Sequence, residues 1–279
     1  MNEKGSSSEF DLNDRLIVSV IDDVSLWSVP FGMKLLDTVR LRGVSRALDV
    51  GCGLGFPLLE LAMRLGTGTK VYGIDPWKEA LERARIKAGV MGIKNVEVVE
   101  GVAEELPFDD GFFDLIVSNN GINNVNDLPK TLKEIGRVSK AGAQFVSTMN
   151  TDGTMMEFYG IFETVLRENG LETAIEMMKK HIRRKRPALD DVGRLMVDAG
   201  FAVSSVSEED FALSYADGTA MLNHFFIRLA FLDEWKKIVP KERCPAVFGE
   251  IEKRLNLLAE KKGRLSLTIP FAVIDCLKK

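Results

Sequence analysis

With 279 residues, 46% of them hydrophobic and 28% charged, the chain has the composition of a globular protein with one enlarged domain, or a domain with a small cap. A net charge of -4 argues against a general nucleic-acid binder; two histidines, with Cys52, Cys244 and Cys276 out of ligand spacing, argue against a metal site; and no apolar run reaches the roughly 20 residues of a membrane span. The polar start, Met1 to Ser8, lacks a signal-peptide apolar region and is expected to be disordered, which points to a cytoplasmic protein with reduced thiols.

In chain order, Leu26 to Gly32 carries Trp27 and Phe31, which would fold over a ligand or pack on a sheet. Arg46-Ala47-Leu48 begins a buried strand that runs into Asp49-Val50-Gly51-Cys52-Gly53-Leu54-Gly55, and Phe56 to Leu65 reads as a helix. Glycines at alternate positions between strand and helix let backbone come close to a ligand. Phe56 stands where the dinucleotide fingerprint needs its third glycine, and no Gly-Lys-Ser/Thr follows for a phosphate loop. With an acid at its start, such a loop suits a ligand bearing an ammonium group and a sugar, or is a turn without one. Lys70 to Asp75 reads as a second strand ending in an acid, about 20 residues beyond the glycines, where an open α/β sheet sets a carboxylate on a ribose diol. Asp75 could equally cap the helix that Pro76 opens. Trp77 would lie against a purine or simply pack.

Val96 to Gly101 is strand-like, Phe113 to Asn119 is a fourth strand, and Asp127 to Val138 is a helix whose Leu128, Leu132, Ile135 and Val138 share one face. Ala141-Gly142 is expected to end that helix, and Gln144 to Met149 to form a fifth strand. Residues from about 44 to 150 resemble a class I S-adenosylmethionine-dependent methyltransferase, most like the small-molecule branch that includes the ubiquinone and menaquinone biosynthesis enzymes. The likeness lies in Leu48 to Gly55, Val71 to Asp75, Ala103 to Phe108, Phe113 to Asn119 and Glu134 to Gly142, in that order and spacing.

The resemblance implies an α/β fold: a Rossmann-like, seven-stranded, mostly parallel sheet with an antiparallel last strand, helices on both faces, and extra helical insertions. It implies a cofactor set of Asp49, Gly51, Cys52, Gly53, Gly55, Asp75, Pro76, Trp77, Val102, Ala103, Glu104 and Asn119. The glycine loop would face the methionine part of S-adenosylmethionine, Asp49 would orient the loop and the amino group, and Asp75 would take the ribose. Val102, Ala103 and Glu104 would edge the adenine. The family often has aspartate where this chain has Val102, so Glu104 or a backbone carbonyl would have to accept from the adenine amine. S-adenosylhomocysteine would be the product.

Beyond Asn150 the strand-helix rhythm breaks. Helices are expected at Thr154 to Glu168, Leu171 to Arg184, Asp190 to Ala199, Gly218 to Ile238 and Pro245 to Lys262, with strands at Phe201 to Ser207 and Arg264 to Ile269. The single domain thus divides into an N-terminal segment (1–43), a cofactor core (44–150), the rest of the sheet (189–210 and 263–279) and helical additions (151–188 and 211–262). The additions would cover an acceptor or form a homodimer interface. Met155, Met156, Phe158, Tyr159 and Phe162 would line an apolar pocket or build core. The basic run Lys179 to Arg186 reads as a solvated helix end complementing the helix dipole, with RNA, an anionic lipid face or a phosphorylated acceptor as rival partners.

Methyl transfer from a sulfonium asks the protein mainly to position the acceptor and exclude water, so no catalytic triad is needed. Asn119, Asn120, Asn123 and Asn124 after the fourth strand offer amides near the methyl site, or serve the turn itself. The catalytic candidates are Asn119, Asn123 and His224. The acceptor candidates are Trp27, Phe31, Asn120, Asn123, Met155 and Tyr159. The expected function is methylation of a small, partly apolar molecule. An RNA or protein methyltransferase and a cofactor-binding protein without transferase activity are the alternatives.

Overall fold

The computed structural model describes residues 10–23 and 26–279; the expected disorder of Met1 to Ser8 lies outside them. In chain order the elements are α1 (Arg15–Asp23), α2 (Ser28–Thr38), β1 (Arg46–Val50), α3 (Leu58–Leu65), β2 (Lys70–Asp75), α4 (Lys78–Val90), β3 (Val96–Glu100) and β4 (Phe113–Asn119). There follow α5 (Leu128–Val138), β5 (Ser139–Asn150), α6 (Met156–Glu168), α7 (Glu172–Lys185), α8 (Leu189–Asp198) and β6 (Phe201–Tyr215). The chain closes with α9 (Gly218–Asn223), α10 (Phe225–Ile227), α11 (Asp233–Lys237), α12 (Cys244–Lys262) and β7 (Leu265–Lys278).

The seven strands form one sheet in the order β3-β2-β1-β4-β5-β7-β6. β1 to β5 pair in parallel, and β7 runs antiparallel to β5, as expected. β1 and β4 sit in the middle and are buried along nearly their whole length, which explains their unbroken apolar runs. The edge strand β3 keeps partial exposure.

The chain divides into two compact units. The sheet unit comprises Leu12–Thr151, Pro187–Glu209 and Phe271–Lys279. Its core includes Leu48, Ile116, Leu132, Ile135, Phe145, Met196 and Phe201, which share one apolar cluster. The expected face of α5 is therefore the buried one. Asp127 caps that helix by accepting from the Lys130 amide at 2.9 Å.

The helical unit holds Asp152–Arg186 and Asp210–Pro270, with Phe10 and Asp11. Phe158 stacks on Trp235 with ring centroids 3.9 Å apart, and Trp235 Nε1 donates to Tyr159 Oη at 2.9 Å. Among the described residues no helix is long and apolar enough to cross a membrane.

Several boundaries differ from expectation. α3 starts at Leu58 rather than Phe56; Pro57 takes the cap position with ψ of 3°, outside helical geometry. α5 stops at Val138, and the chain passes directly into β5, so Ala141-Gly142 lies within the strand and not at the helix end. The single helix expected over 218–238 is broken at His224, whose ψ of 132° is extended, and is interrupted again by a π-turn at Arg228–Leu232. Asn223 and His224 are weak helix formers and mark the first break. β6 and β7 run well past their expected ends, to Tyr215 and Lys278.

Candidate cofactor and acceptor site

Parallel strands bring their carboxyl ends to one edge, and there the sheet unit gathers the loops that follow β1, β2, β3 and β4. The glycine loop is stitched to β2: Gly51 and Cys52 both donate backbone N–H to the Ile74 carbonyl, at 2.9 and 3.2 Å. Gly101, after β3, donates to the Asp75 carbonyl at 3.2 Å. The Asp75 carboxylate accepts from Gly53 N at 3.0 Å and Trp77 N at 2.8 Å. Burial raises its pKa, while those two N–H groups act the other way. Each carboxylate oxygen retains a lone pair for a further donor.

Asp49 is the unusual group. It is fully buried between Gly73 of β2 and Val117 of β4, and neither of its carboxylate oxygens has a hydrogen-bond partner. Burial first, then the nearby Asp75, pushes its pKa up to about 8, against the opposing dipole of the Leu58 N–H at the start of α3. A carboxyl held this way is mostly protonated at neutral pH, and a positive charge beside it favours its ionised form.

Gly51, Gly53 and Gly55 all have positive φ, at 79°, 47° and 97°. Gly51 meets Gly121 of the loop after β4: a Cβ on Gly51 would fall 2.7 Å from the Gly121 Cα. Around Gly53 there is nothing within 4 Å of such a Cβ, so this side of the loop is open. Phe56 fills the place of the missing glycine, and its ring packs against Gly32 of α2. Cys52 contributes backbone alone. Its side chain is buried against Gly73, and burial pushes the thiol pKa well up, which keeps it unreactive.

The asparagines after β4 separate into two groups. Asn119 is engaged at both ends of its amide, donating to the Ser28 carbonyl at 3.0 Å and accepting from Thr148 Oγ1 at 2.9 Å. Asn120 has φ of 59°, and its Oδ1 accepts from Asn123 Nδ2 and from the Asn150 amide. Asn123 Nδ2 also donates to Asn150 Oδ1 at 3.0 Å. What is left over is a buried donor, Asn120 Nδ2, and a buried acceptor, Asn123 Oδ1, neither with a partner.

Residues 44–200, more than half of the chain, match the family model described as a methyltransferase domain. The chain belongs to this methyltransferase-domain family. A demethylmenaquinone methyltransferase of Bacillus mycoides (strain KBAB4) is 36% identical over 125 residues, which are 44% of this chain and 53% of that relative. A demethylmenaquinone methyltransferase of Geobacillus kaustophilus (strain HTA426) is 30% identical over 177 residues, 61% of this chain and 76% of its own. A SAM dependent methyltransferase from Aquifex aeolicus has a solved structure that aligns with TM-score 0.52 at 26% identity, over 69% of this chain and 91% of that one. The chain spans about half the length of the Bacillus relatives it matches.

For a methyltransferase domain, the remaining sequence candidates fall as follows. Trp77 is half-buried, its indole N–H tied to the Leu12 carbonyl at 2.9 Å, and Pro76 is exposed. Val102 is exposed and Ala103 half-buried. Glu104 Oε1 accepts from the Asn126 and Asp127 amides, so one oxygen of this carboxylate holds the turn before α5. Trp27 and Phe31 pack ring to ring at 5.4 Å; Phe31 is fully buried against Phe271 and belongs to the core, while Trp27 is half-buried.

Met155, Tyr159 and His224 belong to the helical unit. The first two are interior residues there: Met155 is fully buried, and the Tyr159 hydroxyl is spent on Trp235. His224 lies edge-on to Tyr215 at 5.3 Å, with its Nδ1 buried and unpartnered.

Lys87, Asp22 and Asn150 escaped the sequence reading. Lys87 Nζ donates to the Leu54 carbonyl at 2.8 Å and to Asp22 Oδ1 at 2.6 Å, tying the glycine loop to α1 through α4. Asn150 ends β5 beside β4, and the parallel order of those two strands was the signal that could have found it.

Proposed function

We propose that the chain is an S-adenosylmethionine-dependent methyltransferase acting on a small, partly apolar molecule and releasing S-adenosylhomocysteine. The observation that carries this reading is the orphaned Asp49 carboxyl beside a glycine loop open at Gly53. A buried acid without a partner fits a ligand that brings an ammonium, and the open loop admits its backbone contacts. Asp75 would take the ribose with its spare lone pairs. Cys52 and Gly53 would face the ligand through backbone, and Val102 and Ala103 would edge the base.

When bound, the cofactor supplies an electrophilic methyl group on sulfonium sulfur. The chain's own part is to hold an acceptor in line and dry. Asn120 Nδ2 and Asn123 Oδ1 are the free donor and acceptor for that task, suited to an oxygen or nitrogen nucleophile. Asn119 acts through Ser28 and Thr148, as a residue that positions the loop. The names of the relatives, demethylmenaquinone methyltransferases, support a small-molecule acceptor over nucleic acid. A homodimer on the helical unit goes with exposed Met156, Met177 and Leu257, and sedimentation reads it.

Titration calorimetry with S-adenosylmethionine and S-adenosylhomocysteine tests the reading. Both should bind, and Asp75→Ala should weaken binding while the fold persists. A folded wild type that binds neither refutes it.

A further inference from the structure

Arg186 ends the basic run and is the one member that the fold buries, at 4% exposure. Arg183 and Arg184, earlier in the run, are exposed as a solvated helix end should be. The Arg186 guanidinium lies over the Tyr159 ring, 5.2 Å from its centroid, and Nη1 donates to the Thr154 carbonyl at 3.2 Å. Its Nε is buried with no hydrogen-bond partner. The described ion pairs of the helical unit join Arg167 and Lys179 to Glu163, Lys237 to Glu234, and Arg254 to Glu168 and Glu250; Arg186 is in none of them.

The surroundings are electropositive as well. The pKa of half-buried His181 is lowered by burial and then by Arg186, with Arg184 and Lys185 adding to the effect and Glu234 opposing it. A cation removed from water needs a counter-charge or a full set of acceptors. One ring face and one carbonyl are a partial set for a guanidinium with five N–H donors. The planar fork of arginine matches the paired oxygens of a carboxylate or phosphate.

We propose that Arg186 is the receptor for an acidic group, a carboxylate or a phosphate, on the small molecule that this protein binds. It rests on the methyltransferase reading only in naming that molecule as the acceptor; the anion site stands without it.

The test uses the full chain, without cofactor, melted in chloride buffer of fixed ionic strength against inorganic pyrophosphate or benzoate. At least one probe should raise the wild-type Tm in a saturable way. A response to pyrophosphate alone names a phosphate, and one to benzoate alone a carboxylate. Arg186→Met should lose the response, with the half-effect concentration at least about tenfold higher. Without probe it should melt no lower than wild type, since it removes an uncompensated charge. Arg186→Lys, which keeps the charge and loses the fork, should respond more weakly than wild type.

A wild type that responds to neither probe at about 10 mM overturns the proposal. So does an Arg186→Met protein that still responds to the probes as wild type does, whatever its own Tm. Failure to bind S-adenosylmethionine would leave these melts unaffected and so counts against the other reading alone.

Discussion

On the proposed assignment, with the cofactor's ammonium beside Asp49, cofactor binding becomes a proton-linked reaction. With a pKa of about 8, it is about nine-tenths protonated at pH 7 in the free protein. An ammonium arriving beside it favours the ionised form, so binding at pH 7 should expel up to about one proton per cofactor. Between pH 6 and 7 the affinity should then rise about tenfold, or about 1.4 kcal/mol per pH unit, and level off above pH 8. Calorimetry with S-adenosylhomocysteine in two buffers of different ionisation enthalpy reads the protons directly. Asp49→Asn, which keeps the shape and removes the titration, should bind more weakly, with the proton release gone. The difference between the two proteins isolates Asp49 from any titration of the ligand's own amine. Equal proton release in wild type and variant, or a wild-type affinity flat from pH 6 to 7, would refute the assignment.

The same carboxyl sets a stability profile. A folded-state pKa raised from 3.8 to about 8 means that the folded protein holds the proton that the unfolded chain has lost, so this group lowers stability as pH rises from about 4 to about 8. Asp49→Asn should therefore gain more Tm over wild type at pH 8.5 than at pH 5, and an equal gain at both would contradict the shift. The glycine loop offers a paired test. Gly53→Ala has free space around its Cβ and should cost about 1–2 kcal/mol of backbone strain, while weakening cofactor binding. Gly51→Ala would drive its Cβ against Gly121 and should cost more than about 2 kcal/mol in denaturant melts. In the helical unit, Tyr159→Phe would leave the fully buried Trp235 N–H without an acceptor, costing about 1–3 kcal/mol; unchanged stability would return Tyr159 to the acceptor candidates.

The strands β1 and β4 were legible because they are buried along nearly their whole length, and the apolar run of each ends in a loop with a distinct signature. The placement of the acids was legible for the same reason: Asp75 ends β2, Asp49 stands one residue before the end of β1, and strand ends converge in a parallel sheet. What could not be read depended on partners distant in sequence. Nothing local says that Asn119 is consumed by Ser28 and Thr148 while Asn120 and Asn123 keep free polar atoms. Nor does anything local show that one oxygen of Glu104 holds the backbone amides of Asn126 and Asp127. The Met155 and Tyr159 stripe shows helical spacing whether it faces a ligand or a core, and here Trp235, 76 residues after Tyr159, makes it core. Arg186 sits in a run of like charges that reads as uniformly solvated, and one residue's burial is invisible in such a pattern.

The contact between Gly51 and Gly121 has a bearing on how this enzyme could be diversified. Each residue stands where the other would need room for a side chain, and a Cβ on Gly121 would come within 2.3 Å of the Val50 carbonyl. The two loops behave as meshed gear teeth: neither can lengthen or swing without displacing the other. On the proposed acceptor site, new specificity would be sought by exchanging side chains at 120, 123 and 150 on a backbone left alone. Libraries that vary loop length at this point would mostly yield proteins that lose the donor along with the old acceptor.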